Sequence, residues 1–171
     1  MHLTKWVFDG QSLAPHAQRI GQLLRETHSK TALDFGCGKG LQYQQHRLHE
    51  VHDWGLMPSL YDPGVKAFAV LPDGPFDAVI CTDVLEHIPE LFINETLHKI
   101  FSRSTRMVYL NISIRLAVKK LPNGENAHCT VKQPEWWMNF VLKHAKGQFV
   151  EVSFQGPPDS QPIVHSIPSI Q

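Results

Sequence analysis

The sequence predicts an α/β protein, a mostly parallel sheet flanked by helices, and two observations carry that reading. Short apolar runs at 31–35, 58–62, 76–82 and 106–112 alternate with helix-like stretches at 12–28, 41–51, 90–102 and 135–146. The first of these runs also stops in three alternate glycines, Gly36, Gly38 and Gly40, and helix-like sequence begins at once after them. A strand that ends in a side-chain-free turn and feeds a helix is the joint from which parallel sheets are built.

In chain order, Leu13, Ile20, Leu23 and Leu24 recur at roughly helical spacing and predict a leading helix over 12–28. Residues 31–35 (TALDF) form a short buried strand, and 41–51 form a polar helix starting at the glycine turn. Residues 58–62 read as a second strand stopped by Pro63-Gly64. Residues 67–71 read as a third, shorter strand before the turn Pro72-Asp73-Gly74-Pro75. The run FDAVICT (76–82) has the apolar character of a central parallel strand. Residues 90–102 set Leu91, Ile93, Leu97, Ile100 and Phe101 on one side of a helix, and 106–112 (RMVYLNI) is a further buried strand. After a polar connection over 113–132, Pro134 stands where a helix can begin, and 135–146 follow it. Residues 149–154 alternate as a strand. Gly156-Pro157-Pro158 then breaks the chain, and 157–171 hold either a partner strand at 162–167 or a loose tail. A single domain is expected over 1–156, with a cofactor half at 31–90 and an acceptor-side segment at 113–137.

Composition narrows the function. The 171 residues suffice for one substantial core, and 42% hydrophobic with 19% charged residues suits a soluble globular chain. The formal net charge is zero, which disfavours a whole-molecule field that draws nucleic acid or membrane. Cys37, Cys81 and Cys129 are odd in number and lack metal-ligand spacing, so a reduced, cytoplasmic setting is expected. The first ten residues lack the apolar stretch of a secretion signal, and no apolar run reaches membrane-spanning length, so neither is expected.

The glycine turn lets a nucleotide-like ligand lie against backbone. A dinucleotide fingerprint needs its third glycine at position 41, which is Leu41. Asp62, at the end of the second strand, can accept two hydrogen bonds from a ribose diol, and it equally suits the start of an Asp-Pro-Gly turn.

Taken together, DFGCGKG (34–40), YDPG (61–64) and FDAVICTDVLEHIP (76–89) resemble the successive motifs of class I S-adenosylmethionine-dependent methyltransferases. The likeness is greatest to the group whose fourth strand ends in D-V-L-E-H-I, and it covers about residues 31–112. It implies a Rossmann-like sheet of seven strands, mostly parallel, with one antiparallel strand near an edge. A C-terminal antiparallel hairpin over 149–167 would supply that strand. It implies S-adenosyl-L-methionine as cofactor. By resemblance Asp34 meets the cofactor's amino acid end, Gly36, Gly38 and Gly40 let backbone approach it, Asp62 holds the ribose, and Asp83 lies near the methyl group. The chain departs from the pattern between Asp62 and Phe76, where thirteen residues are too few for a helix plus a strand. The acid that usually meets adenine is not evident there, and Leu71 and Asp73 stand in for it.

Methyl transfer from a sulfonium needs alignment and, for hydroxyl acceptors, a proton acceptor. His87 suits a general base. Glu86 is a second acid–base candidate, or alternatively begins the next helix. His128 is a further choice of base. From Lys99 to Lys132 there are seven Lys or Arg residues against one acid, Glu125. That imbalance suits a phosphate- or carboxylate-bearing acceptor or, more plainly, a solvated loop. Arg115 and Trp136 are the expected acceptor-binding residues. The reaction requires no metal. Asp83, Glu86 and His87 would also suit a divalent ion but have more ordinary explanations, and His46, His49 and His52 read as a solvated helix face. The expected activity is methyl transfer to a small or sugar-like acceptor, with an anionic one included. Nucleic acid is disfavoured, because Thr82-Asp83-Val84-Leu85 stands where base-amino methyltransferases carry their Pro-Pro-Tyr-type motif. The alternatives are a non-catalytic S-adenosylmethionine-binding partner protein and an enzyme that cleaves the cofactor.

Overall fold

The structure is a computed structural model, and it describes residues 11–118 and 120–170. The expected signal-free N-terminus and Lys119 of the basic stretch lie outside those residues. The chain opens with a 3₁₀ segment, Gln11–His16, that runs into α1 (Ala17–Glu26). Then follow β1 (Ala32–Phe35), α2 (Leu41–Gln44), α3 (Leu48–Val51), β2 (Ser59–Tyr61), β3 (Phe76–Thr82), α4 (Glu90–Phe101), β4 (Ser104–Ser113), α5 (Pro134–His144), β5 (Phe149–Gln155) and β6 (Ile163–Ile167). The six strands make one sheet in the order β2-β1-β3-β4-β5-β6. The first five are parallel, and β6 runs antiparallel to β5 at the edge, closing a C-terminal hairpin. This is the α/β, Rossmann-like arrangement expected from the alternation of strands and helices.

Strand alternation sorts the core into two layers, because successive side chains point to opposite faces. Leu33, Phe35, Val79, Cys81, Val108, Leu110, Val150 and Val152 face α4 and α5, together with Ile93, Leu97, Trp137 and Val141. Ala32, Ala78, Ile80, Met107 and Tyr109 face α1 and the α2–α3 region, and meet Ile20, Leu24, Tyr43 and Trp54. The Trp54 indole N–H donates to the Ala17 carbonyl at 2.8 Å, so α1 is tied to the chain that follows α3. Arg19 of α1 makes a two-pronged contact with buried Glu151 of β5, at 2.9 and 2.6 Å.

Four expectations are corrected. The sheet has six strands, not seven, because 67–71 is no strand. A 3₁₀ turn, Lys66–Phe68, stands there instead, and Val70, which a sheet would bury, is 83% exposed. The helix expected over 41–51 is split into α2 and α3. Gln44 to Arg47 are all exposed, and Arg47 sits at φ 49°, outside the helical region. The leading helix begins as 3₁₀, and its α-helical part starts only after Pro15, whose ring nitrogen has no proton for an intrahelical bond. Leu91 is 84% exposed and lies off the buried face formed by Ile93, Leu97, Ile100 and Phe101. Of the two alternatives for the C-terminal stretch, residues 163–167 take the first and form the partner strand.

After β1 the chain steps outward to β2, then returns to the other side of β1 to lay down β3. The loops leaving β1 and β3 therefore diverge. In open α/β sheets, such a reversal leaves a crevice at the carboxyl ends of the strands.

Candidate functional site

The crevice is built by two loops. In the loop after β1, Gly36, Gly38 and Gly40 have φ of 90°, 57° and 68°. These are left-handed values that glycine adopts without strain. A Cβ at Gly36 would lie 2.2 Å from Val84 Cγ2, so this glycine also lets the loop after β3 close against the loop after β1. The Gly36 and Cys37 amides donate to the Tyr61 carbonyl at 2.7 and 3.0 Å. Asp62 completes the cradle. Its Oδ2 accepts the Gly38 amide at 2.9 Å, and its Oδ1 accepts the Gly64 amide at 2.8 Å. A carboxylate offers about four acceptor positions, so Asp62 retains capacity for a diol.

Asp34 lies beneath this turn rather than in the crevice. It is 2% exposed, and its Oδ2 accepts the Tyr43 hydroxyl at 2.8 Å and the Gln42 amide at 3.4 Å. Burial pushes its carboxyl up to about 6, against the lowering effect of those two hydrogen bonds.

In the loop after β3, Asp83 has φ 58°, an uncommon conformation for a residue with a side chain. Its amide still donates to Asn111 of β4 at 3.1 Å, so the strand ladder reaches up to the turn. Glu86 is fully buried. Its Oε1 accepts the Ser113 amide at 2.7 Å, and its Oε2 has no hydrogen-bond partner among the described residues. Burial first, and the Asp83 charge second, push the Glu86 carboxyl well above the ordinary range.

Residues 113–130 are an organised segment rather than a plain polar connection. The Asn126 side chain pairs with Ala117 as a strand would, accepting its amide at 2.9 Å and donating to its carbonyl at 2.8 Å. Its Oδ1 also accepts the His128 amide at 2.9 Å. Beyond the Ser113–Glu86 bond, residues 127–130 are fastened to the loop after β3. Thr130 N–H donates to the Glu86 carbonyl at 3.0 Å, Thr130 Oγ1–H to the Ile88 carbonyl at 2.7 Å, and His87 Nδ1–H to the Ala127 carbonyl at 2.7 Å. His128 Nδ1–H donates to the Arg115 carbonyl at 2.7 Å. The two imidazoles stand edge to face, with centroids 4.8 Å apart.

Two cavities meet at this point. One, of about 290 Å³, is walled by Gly36, Tyr61, Asp62, Val84 and Ile88. The other, of about 330 Å³, is walled by His16, Ser113, Arg115, Ala127 and His128. Asp83 and His87 belong to both. The Arg115 Nε is buried beside the second cavity without a hydrogen-bond partner among the described residues, a donor suited to an anion. A third cavity, of about 540 Å³, adjoins the second through Pro15, His16 and Gln155 and extends over Arg19 and Glu151. A further hollow of about 400 Å³, lined by Glu26, Thr105, Arg106 and Phe149, lies at the amino ends of β4 and β5, away from this edge.

Of the residues expected from the sequence, Gly36, Asp62, Asp83, His87, His128 and Arg115 line these two cavities. Glu86 and Asp34 support the walls from behind. Gly38 is buried and joins the site through its amide on Asp62, and a Cβ on buried Gly40 would meet Leu60 and Phe68. Leu71 packs against the α4–α5 core layer and lines neither cavity. Asp73 is exposed and lines neither. Trp136 also lines neither. Its ring packs against Phe140, tilted by 45° with centroids 4.6 Å apart, and Lys132 Nζ lies above it. His46 lies in the exposed turn before α3, whereas His49 lies within α3 and His52 caps its end, because the helix expected to align all three is split.

One residue escaped the sequence reading. His16 lines the second and third cavities, donates or accepts at the Tyr109 hydroxyl (2.8 Å), and has its pKa lowered by burial, with Asp83 opposing that shift. No spacing signals it, since its place depends on where the start of α1 crosses the strand ends. Comparison of the chain with protein-family models and with curated proteins returned no match.

Proposed function

We propose that this protein is an S-adenosylmethionine-dependent methyltransferase acting on a small or sugar-like acceptor, with anionic acceptors included. The observation that carries the reading is the pair of cavities sharing Asp83 and His87 at the point where strand order reverses. One cavity offers a glycine-turn wall and a carboxylate with spare acceptor positions, which suits a nucleoside. The other offers imidazoles and a guanidinium, which suits an oxygen-rich acceptor bearing phosphate or carboxylate.

When bound, S-adenosylmethionine supplies an electrophilic methyl group on sulfur. The chain's own part is to bind, align and handle a proton. Asp62 would hold the ribose, and the loops after β1 and β3 would fix the cofactor's orientation. Arg115 would place the acceptor. His87 or His128, each with Nδ1–H committed to a carbonyl, would take the acceptor's proton at Nε2.

One observation favours a second reading, a partner protein that binds the cofactor without turnover. The connection from Asp62 to Phe76 holds only a 3₁₀ turn, so the adenine side of the first cavity has few walls. Calorimetry with S-adenosylmethionine and with its demethylated product separates the cases. Saturable binding is expected, and Asp62→Ala should weaken it by about 1–3 kcal/mol, as for loss of a charged hydrogen bond. No binding of either compound would remove the reading altogether. Binding with no labelled methyl transferred to phosphorylated or carboxylated sugars would favour the partner protein, and acceptor-free breakdown would favour a cofactor-cleaving enzyme.

A further inference from the structure

We propose that Asp83, His87 and His128 form a binding site for one divalent transition-metal ion at the wall between the two cavities. The inference goes beyond the methyl-transfer reading and does not require it. One ligand atom from each of the three residues lies within 4.8 Å of the other two, and all three residues are only partly buried. Donors around a zinc ion at about 2.0 Å stand about 3.3 Å apart, so a modest inward shift of the side chains completes the set.

Both histidines are arranged as metal-ligating histidines usually are. Each donates Nδ1–H to a backbone carbonyl, His87 to Ala127 and His128 to Arg115. A carbonyl only accepts, so in the neutral ring the lone pair is on Nε2, and the ring's orientation is fixed by its outer bond. The Asp83 backbone is fixed by its amide, which donates to the Asn111 carbonyl at 3.1 Å. Its left-handed backbone turn sets the direction of the carboxylate, and the buried Glu86 side chain stands behind it. Both histidines thus have their outer partners. The cavity on each side leaves coordination positions for water or a substrate oxygen.

Two imidazoles and one carboxylate with open positions suit zinc, cobalt or iron(II) rather than magnesium or calcium. The set differs from the one the sequence suggested. Glu86 turns inward to Ser113, and His128 arrives from a distant part of the sequence because Thr130 and Ala127 fasten its segment to the loop after β3. Metal binding and base catalysis compete for the same imidazole lone pairs. An occupied site would instead acidify an acceptor oxygen bound to the ion.

The test uses the full chain after chelator treatment. Cobalt(II) is titrated while its visible absorption is followed, and zinc is titrated by calorimetry. One equivalent with an absorption band of bound cobalt is expected. His87→Ala and Asp83→Asn should each weaken binding by about tenfold or more. His46→Ala, at an exposed turn, should leave it unchanged. His128→Gln keeps the side-chain bulk and guards against an unfolded variant, which circular dichroism checks. Absence of saturable binding, or undiminished affinity in folded His128→Gln, would overturn the site. S-adenosylmethionine affinity is measured separately, so either proposal can fail while the other stands.

Discussion

Asp34 shows how one buried acid couples the glycine turn to solution pH. Its carboxyl titrates near 6 in the fold and near 3.8 in an ordinary setting, because burial disfavours its charge. Between those values the unfolded chain loses its proton first, and the native state holds more protons. Stability therefore falls as pH rises from about 4 to about 6, then levels off. A shift of this size corresponds to about 3 kcal/mol, taking about 1.4 kcal/mol per pKa unit. Glu86 acts in the same direction, so the difference between wild type and Asp34→Asn isolates the Asp34 part. Urea unfolding at pH 4.5 and 7.5 should show Asp34→Asn losing less stability than wild type over that interval. Equal pH dependence in the two proteins would mean that Asp34 is already ionised when folded. The sequence made Asp34 visible as the acid before a glycine turn. It did not reveal that the side chain points down to Tyr43, because that depends on where the first turn of α2 carries the Tyr43 hydroxyl.

At the scale of elements, legibility follows the source of the order. Strands β1, β3 and β4 are buried on both faces, so their apolar runs announce them. The stretch 67–71 has similar composition, but Ala67, Ala69 and Val70 are exposed and Phe68 and Leu71 only half-buried, and composition alone cannot tell the two cases apart. The segment 113–130 is the reverse case. Its order comes from a side chain, Asn126, that imitates a paired strand, and no periodicity records that. Asn126→Ala removes three hydrogen bonds. The expected effect is a local loss of about 1–3 kcal/mol, with little change in the main unfolding transition. Hydrogen exchange should speed at the Ala117 and His128 amides while β4 stays protected. Unchanged exchange at both amides would show that other contacts hold the segment.

For the whole molecule, the order β2-β1-β3-β4-β5-β6 explains why residues far apart in sequence share one site. The reversal beside β1 opens the crevice, and the C-terminal hairpin supplies part of the adjoining cavity through Gln155, Pro162 and Val164. Among the described residues, no helix is long and apolar enough to cross a membrane. The parallel sheet was legible from alternation. The convergence of Asp83, His87, His128 and His16 was not, since it needs the fold-back of a loop and the crossing of α1. That fold-back has a thermodynamic consequence. The bonds from Thr130 and His87 make the loop after β3 and the segment behind it one mechanical piece with a cavity on each side. Whatever settles in one cavity stiffens a wall of the other, and linkage requires the effect to be mutual. Titrating S-adenosylmethionine with and without saturating cobalt, then cobalt with and without the nucleoside, should give one factor, above unity, in both directions. A factor of one in both would mean that the shared wall is already rigid and the two sites fill as strangers.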